Sequence, residues 1–314
     1  MPTAAWFDHM GFLQPTAFLA SPEAMQRTWK PAEALDYTRW LATHHYENFH
    51  VVSFLLPKRL HQDFYNVYSF CRWADDLGDE IGDTAESLRL LSWWRRELEA
   101  AYAGRASHPV FVALAETVQR HQLPITPFDD LIKAFEQDQT VTRYRNWEEL
   151  FEYCRYSANP VGRLVLGLCG YRDEARRQLS DATCTALQLA NFWQDVVIDL
   201  EKDRIYLPLD LLAAHGYPVE GLAARKFDPR FRAAMREAVQ VARDLFLKGL
   251  PLAGMVDRRL SIDLELFSRG GLKVLEKIEG QDYDVLGARP SISKLERVGL
   301  LLGAVLHRAF SRAA

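Results

Sequence analysis

Two pairs of aspartates have the spacing that would let them bind a divalent cation. Asp75 and Asp79 form the first pair, and Asp195 and Asp199 form the second, each four residues apart. Residues with this spacing share one face of a helix. Two carboxylates one turn apart repel each other, so the arrangement calls for a counter-charge. For either pair taken alone, a solvated surface helix is the alternative.

Polar neighbours extend both faces. Tyr68 and Arg72 precede the first pair on its face, and Gln188 and Asn191 precede the second. The residues around the second pair, 187–200, are otherwise strongly apolar, so its acids are expected to be shielded from bulk water. Because shielded carboxylates need a counter-charge, this pattern weakens the surface-helix alternative.

Carboxylates from two helices that face one cavity would make a site for magnesium. Mg²⁺ prefers oxygen ligands and is usually held by one or two carboxylates while substrate phosphates complete its shell. Neither face contains cysteine or histidine, which argues against zinc, and neither carries the ExxH motif that a di-iron centre would need. The sequence therefore predicts a magnesium site that binds a diphosphate.

The chemistry of such a site follows from charge. When a diphosphate leaves, it takes an electron pair and the carbon left behind becomes a cation; Arg72 and Arg204 can donate charge-assisted hydrogen bonds to the leaving group. Aromatic faces would stabilise the cation by about 0.5–2 kcal/mol each. The candidates are Phe49, Tyr68, Tyr153, Phe192 and Trp193. Packing in the core is the alternative for each of them.

The elements that must position these residues are helices. Apolar residues recur at helical spacing through most of the 314 residues, and proline and glycine divide them into about eight to ten helices. Pro160 interrupts a helical pattern, so we expect a kink beside Asn159. We predict an all-α protein with an irregular N-terminal arm over residues 1–30 and a single helical domain over residues 31–314.

Composition limits the class of function. A net charge of −4 and a pI near 6.2 exclude the basic surface that a nucleic-acid-binding protein needs. The chain shows no secretory signal and no apolar run of about 18 residues, which predicts a cytoplasmic protein without a membrane span. A peripheral contact with the inner membrane surface stays open.

Several motifs together resemble the squalene/phytoene synthase family, over residues from about His45 to Lys294. They are Leu56-Pro57, Tyr68 to Asp79, Tyr153 to Tyr156, Val161-Gly162, Gln188 to Asn191, Asp195 with Asp199, and Arg204 to Pro208. The resemblance implies one all-α isoprenoid synthase domain with a central cavity, magnesium as cofactor and a prenyl diphosphate as substrate.

The resemblance also implies roles for individual residues. The four aspartates would hold magnesium, Asn191 would assist them, and Arg72 would grip the diphosphate. Tyr153 and Tyr206 would line or close the reaction chamber. Arg289 would approach the diphosphate from the C-terminal part of the chain, with an ordinary helix-terminal cation as the alternative.

Three departures from the common family pattern are informative. The chain reads HYENF over residues 45–49 instead of a serine-rich stretch, Asn159-Pro160 instead of Ala-Gly, and Gln194 instead of arginine. These features are similar to the hydroxysqualene synthase branch of bacterial hopanoid pathways. That similarity implies ionisation of presqualene diphosphate, rearrangement and capture by water without NADPH, with other hopanoid-pathway enzymes as candidate partners.

The branch resemblance leads to two hypotheses. Tyr46 and Asn48, with Glu47, would place the water that captures the cation, with His45 or His50 as alternatives. A neutral Gln194 would weaken a second diphosphate site, which favours one substrate over two. The rival functions are head-to-head condensation by a squalene or phytoene synthase and, in another class, a non-catalytic lipid-binding or assembly protein.

Overall fold

The structure of the protein is a computed structural model that describes residues 11–44, 57–293 and 296. Within these ranges it contains fifteen α-helices and two short 3-10 helices, and no β-strand is formed. This confirms the predicted all-α class. Ten of the helices have ten or more residues, and the other five are short segments of four to six.

The helices are numbered in chain order. The first seven are α1 (Pro15–Leu19), α2 (Pro22–Gln26), α3 (Pro31–His44), α4 (His61–Asp79), α5 (Thr84–Tyr102), α6 (Pro109–His121) and α7 (Thr126–Gln137). The other eight are α8 (Trp147–Ser157), α9 (Asn159–Leu168), α10 (Glu174–Gln194), α11 (Val196–Glu201), α12 (Leu209–Ala214), α13 (Glu220–Ala223), α14 (Pro229–Gly249) and α15 (Arg258–Gly280). None of the described helices combines the length and apolar character needed to cross a bilayer.

The contacts that residues make with one another divide the chain into two compact units. Of the described residues, the first unit takes 11–44, 57–140 and 164–171, and the second takes the rest. The single domain over residues 31–314 stays a prediction. The described part of the arm that was expected to be irregular contains α1 and α2, so it is helical in part.

The core of the first unit is aromatic and is organised by α4. This helix packs against α3, α5, α6 and α7 because its apolar residues recur every three or four positions. Trp73 of α4 stacks on Trp94 of α5, with ring centroids 5.2 Å apart and an interplanar angle of 12°. Phe111 of α6 lies 4.3 Å from Trp94. This core fixes the first aspartate helix in place.

His108 is a titratable group inside that aromatic core. Its ring lies 4.5 Å from Trp73 and 5.0 Å from Trp94, and its Nδ1 accepts a hydrogen bond from Val110 N at the start of α6. Burial lowers the pKa of His108 to about 3, because an imidazolium would lose its hydration there. The histidine is therefore neutral in the folded protein above that pH.

This burial predicts a specific acid sensitivity. The unfolded chain binds a proton at His108 near pH 6.5, whereas the folded chain does so only near pH 3, so stability falls as the pH drops through that window. At pH 5 the loss from this group is about 2 kcal/mol relative to neutral pH. His108→Asn keeps an acceptor for the helix start and should flatten the dependence, as measured by urea unfolding between pH 7 and pH 4.5. An unchanged slope in the variant would contradict the assignment.

The second unit is built around α10, which carries the second motif at its C-terminal end. Helices α8, α14 and α15 pack against it. Two glycines allow close approach: a Cβ added at Gly162 of α9 would overlap Ser180 Oγ of α10, and one at Gly249 of α14 would overlap Thr183 Oγ1. The Val161-Gly162 motif therefore has a packing role in holding α10.

The kink expected beside Asn159 is confirmed as a complete break between two helices. Helix α8 ends at Ser157, Ala158 has φ −112° and ψ −50°, and α9 begins at Asn159. Pro160 has no backbone N–H to continue the first helix. The side chain of Asn159 is buried and accepts a hydrogen bond from Thr185 Oγ1 of α10 at 2.9 Å. The break thus attaches the start of α9 to the motif helix.

Candidate active site

The first aspartate pair lies in the last turns of α4. Asp75 keeps 40% of its side-chain exposure and Asp79, the last helical residue, is exposed. Tyr68 is partly exposed on the same face. Because the C-terminal end of a helix carries a partial negative charge, acids are unfavourable there without a cation. The position therefore suits a site that recruits positive charge.

Arg72 is held by the carboxylates of its own helix. The side chain is 6% exposed; its Nη1 lies 3.1 Å from Asp75 Oδ2, and its Nη2 forms a close ion pair with the buried Asp76. Asp76 was not singled out from the sequence, although its adjacency to Asp75 is visible there. The pair with Asp76 orients Arg72 toward Asp75. A direct grip of Arg72 on a diphosphate stays a prediction.

The second pair spans a break between two helices. Helix α10 ends at Gln194, Asp195 leaves helical geometry with φ −106° and ψ 17°, and α11 carries Asp199. The continuous helix implied by the sequence is therefore wrong at one residue. The amide of Asp199 still donates to the carbonyl of Asp195 at 2.9 Å, so the two acids keep their one-turn spacing.

Shielding of this motif differs along its face. Asp195 is 15% exposed at the side chain, Gln188 and Asp199 are partly buried, and Asn191 is exposed. Burial, followed by the charge of Asp195, raises the pKa of Asp199 to about 7, while Arg204 acts in the opposite direction. The two aspartates are partly buried, as expected for acids shielded from water, whereas Asn191 on the same face is exposed. Burial is the larger cause of the raised pKa, and a positive charge nearby would stabilise the ionised form of the pair.

Arg289 supplies part of that charge. Its guanidinium forms a two-point pair with Asp195: Nε donates to Oδ1 in a close contact, and Nη2 donates to Oδ2 at 3.2 Å. This pairing raises the pKa of the Arg289 guanidinium. The structure thus brings together two residues that lie 94 positions apart in the sequence. An approach of Arg289 to the diphosphate stays a prediction.

Aromatic rings cluster beside the second motif. Phe192 stacks on Tyr206 with centroids 3.7 Å apart and an interplanar angle of 5°, and Tyr153 lies 6.0 Å from Tyr206. Tyr144, which was not selected from the sequence, completes the cluster at 5.4 Å from Tyr153 and 5.7 Å from Tyr206. Three predicted site aromatics therefore lie together, and their role beside a carbocation stays a prediction.

Trp193 does not belong to this cluster. Its side chain is fully buried, and its Nε1 donates to the carbonyl of Ala238 in α14 at 3.0 Å. Its ring meets Trp147 edge-on at 6.1 Å. The assignment of Trp193 to the substrate cavity is corrected: adjacent helical positions point about 100° apart, so while Phe192 faces Tyr206, Trp193 packs the core.

A backbone clamp positions the loop from Arg204 to Pro208. Ile205 N donates to Thr142 O at 2.9 Å, and Leu209 N donates to Tyr144 O at 3.0 Å. Arg143 pairs with the carboxylate of Asp203 and also donates to its carbonyl, where Asp203 has a left-handed φ of 56°. Residues 142–145 therefore fix the loop, a role that no motif in the sequence indicated.

Three predicted site residues, Tyr46, Asn48 and Phe49, lie outside the described residues, as do Glu47, His45 and His50. Their part in placing water or covering the cation stays a prediction.

Comparison with known proteins decides the family. The model of the squalene/phytoene synthase family matches residues 42–296. The chain belongs to the squalene/phytoene synthase family. It is 34% identical over 290 residues to a phytoene synthase of Thermus thermophilus, covering 92% of this chain and 96% of the relative. It is 33% identical over 276 residues to a hydroxysqualene synthase of Zymomonas mobilis, covering 85% and 90%.

A solved structure agrees with the family assignment. The crystal structure of squalene synthase HpnC from Alicyclobacillus acidocaldarius matches with a TM-score of 0.78 and 42% identity, over 85% of this chain and 98% of that one. The family consists of enzymes that act on prenyl diphosphates and generally depend on a divalent metal. The chain shares this enzymatic family and the all-α fold of its structural neighbours.

The donor set fits a divalent metal that is shared with substrate phosphates. Among the described residues, no three His, Cys, Asp or Glu side chains form a ready cage for a metal ion. Each motif instead offers a pair of carboxylates, which is the number that Mg²⁺ commonly takes from protein. Burial and the charge of Asp195 raise the pKa of Asp199, and a cation would favour its ionised form. That Asp75 and Asp79 share ions with the second pair stays a prediction.

Proposed function

We propose that this chain is a hydroxysqualene synthase: it ionises presqualene diphosphate with magnesium, rearranges the cation and captures it with water. The carbon–oxygen bond to diphosphate breaks and its electron pair leaves with the diphosphate. Water then forms a new carbon–oxygen bond and loses a proton. The products are hydroxysqualene and diphosphate, and no reductant is consumed.

The observation that carries this proposal is Gln194. This residue stands where the family resemblance expects arginine, directly before the second aspartate motif. Its amide donates to the carbonyl of Pro290 at 2.6 Å, so the position is neutral and already engaged. Condensation of two prenyl diphosphates requires positive charge for two leaving groups, whereas ionisation of one does not. A relative at 33% identity that is named hydroxysqualene synthase adds support.

The roles of the other residues follow from charge and geometry. The magnesium ions, held by Asp75, Asp79, Asp195 and Asp199, would supply charge neutralisation for the departing diphosphate. Arg204 and Arg289 would donate hydrogen bonds to its oxygens.

The aromatic cluster would protect the cation without reacting with it. The faces of Tyr153, Phe192 and Tyr206 attract positive charge by about 0.5–2 kcal/mol each. Capture then needs one oriented water rather than a strong base, and Tyr46 and Asn48 are the proposed groups that hold it.

Head-to-head condensation is the second candidate. Its support is the phytoene synthase of Thermus thermophilus at 34% identity and the neighbour named squalene synthase HpnC at 42% identity. Magnesium, prenyl diphosphate binding and the aspartate motifs would be the same in both reactions. The two reactions therefore have to be distinguished by which substrate the protein converts.

Incubation with defined substrates tests the proposal. Purified protein with Mg²⁺ and without reductant is given presqualene diphosphate, farnesyl diphosphate or geranylgeranyl diphosphate in separate reactions. We expect hydroxysqualene from presqualene diphosphate only, with its hydroxyl oxygen taken from isotopically labelled water. Squalene or presqualene diphosphate from farnesyl diphosphate, or phytoene from geranylgeranyl diphosphate, would instead support condensation. No product from any substrate would favour the non-catalytic lipid-binding alternative.

A further inference from the structure

The segment that carries Arg289 is a folded strap. This C-terminal strap, residues 281–293, follows α15 and buries the side chains of Val285, Leu286 and Pro290. Gln281 braces it from within, because its Nε2 donates to the carbonyl of Ala288 at 2.9 Å. The residue next to that carbonyl is Arg289. The backbone next to Arg289 is therefore held in place by a contact within the strap.

Two consecutive residues of the strap contact two consecutive residues at the end of α10. Gln194 donates to the carbonyl of Pro290 at 2.6 Å, and Arg289 forms its two-point pair with Asp195. The Gln194 bond joins a partly buried amide to the backbone of a buried proline. It fixes the distance between strap and helix, and so keeps the guanidinium within reach of the carboxylate.

The guanidinium and a divalent cation need the same oxygens of Asp195. A two-point pair engages Oδ1 and Oδ2 together, in the plane of the carboxylate. Arginine stays charged at any accessible pH, so the pair does not dissolve by deprotonation. A metal ion at Asp195 meets the positive charge of the guanidinium beside it, and where it takes the same lone pairs it also has to displace a hydrogen bond, so the pair opposes metal binding.

We propose that Gln194 is a positioning residue that acts through Arg289 to set how tightly the second motif binds divalent metal. By fastening Pro290, Gln194 maintains the Arg289–Asp195 pair, which competes with the metal for one carboxylate. The consequence is a motif that binds metal weakly until a diphosphate offers Arg289 another partner. This inference rests on the proposed metal role of Asp195 and adds a residue that controls it.

A double-mutant cycle on metal binding tests the inference without any prenyl substrate. The dissociation constant of Mn²⁺ is measured from the EPR signal of the free ion for wild type, Arg289→Gln, Gln194→Met and the double variant. We expect Arg289→Gln to bind Mn²⁺ about fivefold more tightly, the upper end of what one exposed charged pair contributes. Gln194→Met should bind it about threefold more tightly, and the double variant no more tightly than Arg289→Gln alone.

Two controls make the outcomes distinct. Arg225→Gln removes a positive charge that pairs with Glu201 of α11, so it reports the effect of net charge alone and should change the Mn²⁺ constant less than twofold. Asp195→Asn should weaken binding, and unchanged binding there would refute both the metal role and the inference. If Asp195→Asn binds Mn²⁺ more weakly but Arg289→Gln does not bind it more tightly, the metal role of Asp195 stands and the competition between Arg289 and the metal is refuted. Additive effects of Arg289→Gln and Gln194→Met overturn the positioning role of Gln194.

Discussion

Asp75→Asn is expected to lower turnover of the prenyl diphosphate by about a thousand-fold while the protein stays folded. The change removes a proposed metal ligand, and loss of one group that stabilises developing charge commonly costs two to three orders of magnitude. The fold should tolerate it because Asp75 is partly exposed and Arg72 keeps its pair with Asp76. The free energy of unfolding should change by less than about 1 kcal/mol.

The adjacent residue provides the matched control. Asp76→Asn makes the same chemical change one position along, but it leaves the buried Arg72 without its closest carboxylate. Breaking a buried ion pair from one side costs about 3–5 kcal/mol, so this variant should lose stability in urea unfolding. The pair of variants separates chemistry from folding at neighbouring positions. Equal loss of stability in both, or full turnover in Asp75→Asn, would contradict the assignment of Asp75 as a ligand.

The sequence predicted the all-α class because helical periodicity and proline breaks are local signals, but it predicted about eight to ten helices where the described residues form fifteen. The break at Asn159 was predicted from the missing amide of Pro160, which acts within one turn. The break at Asp195 was not, because no proline or glycine near this residue marks it in the sequence. The break lies where Arg289 and Pro290 contact the end of α10. These two residues are about a hundred positions further along the chain, so no local pattern in the sequence reveals the contact.

The site was predicted unevenly for the same reason. The motif aspartates and Tyr206 were selected by their spacing and by family resemblance, and their roles stay predictions. Asp76, Arg143 and Tyr144 were missed because their roles depend on partners: a buried guanidinium, a left-handed Asp203 and a ring cluster. Trp193 was wrongly placed since an apolar helix does not reveal which face meets a neighbour.

Trp94→Ala is expected to destabilise the first unit by about 3–5 kcal/mol, the cost of removing a large buried aromatic. Trp94 is fully buried, stacks on Trp73 and lies 4.3 Å from the ring of Phe111, so no solvent can fill the space without wetting apolar surface. Trp94→Phe should cost less, because the indole Nε1 has no hydrogen-bond partner in the described part of the chain and its loss leaves no acceptor without a donor.

Phe151→Ala, at a side chain of the second unit that is 37% exposed, should cost under about 1 kcal/mol and serves as the control. Urea unfolding followed by circular dichroism measures all three. If Trp94→Ala costs no more than Phe151→Ala, the aromatic core is not what holds the first aspartate helix in place.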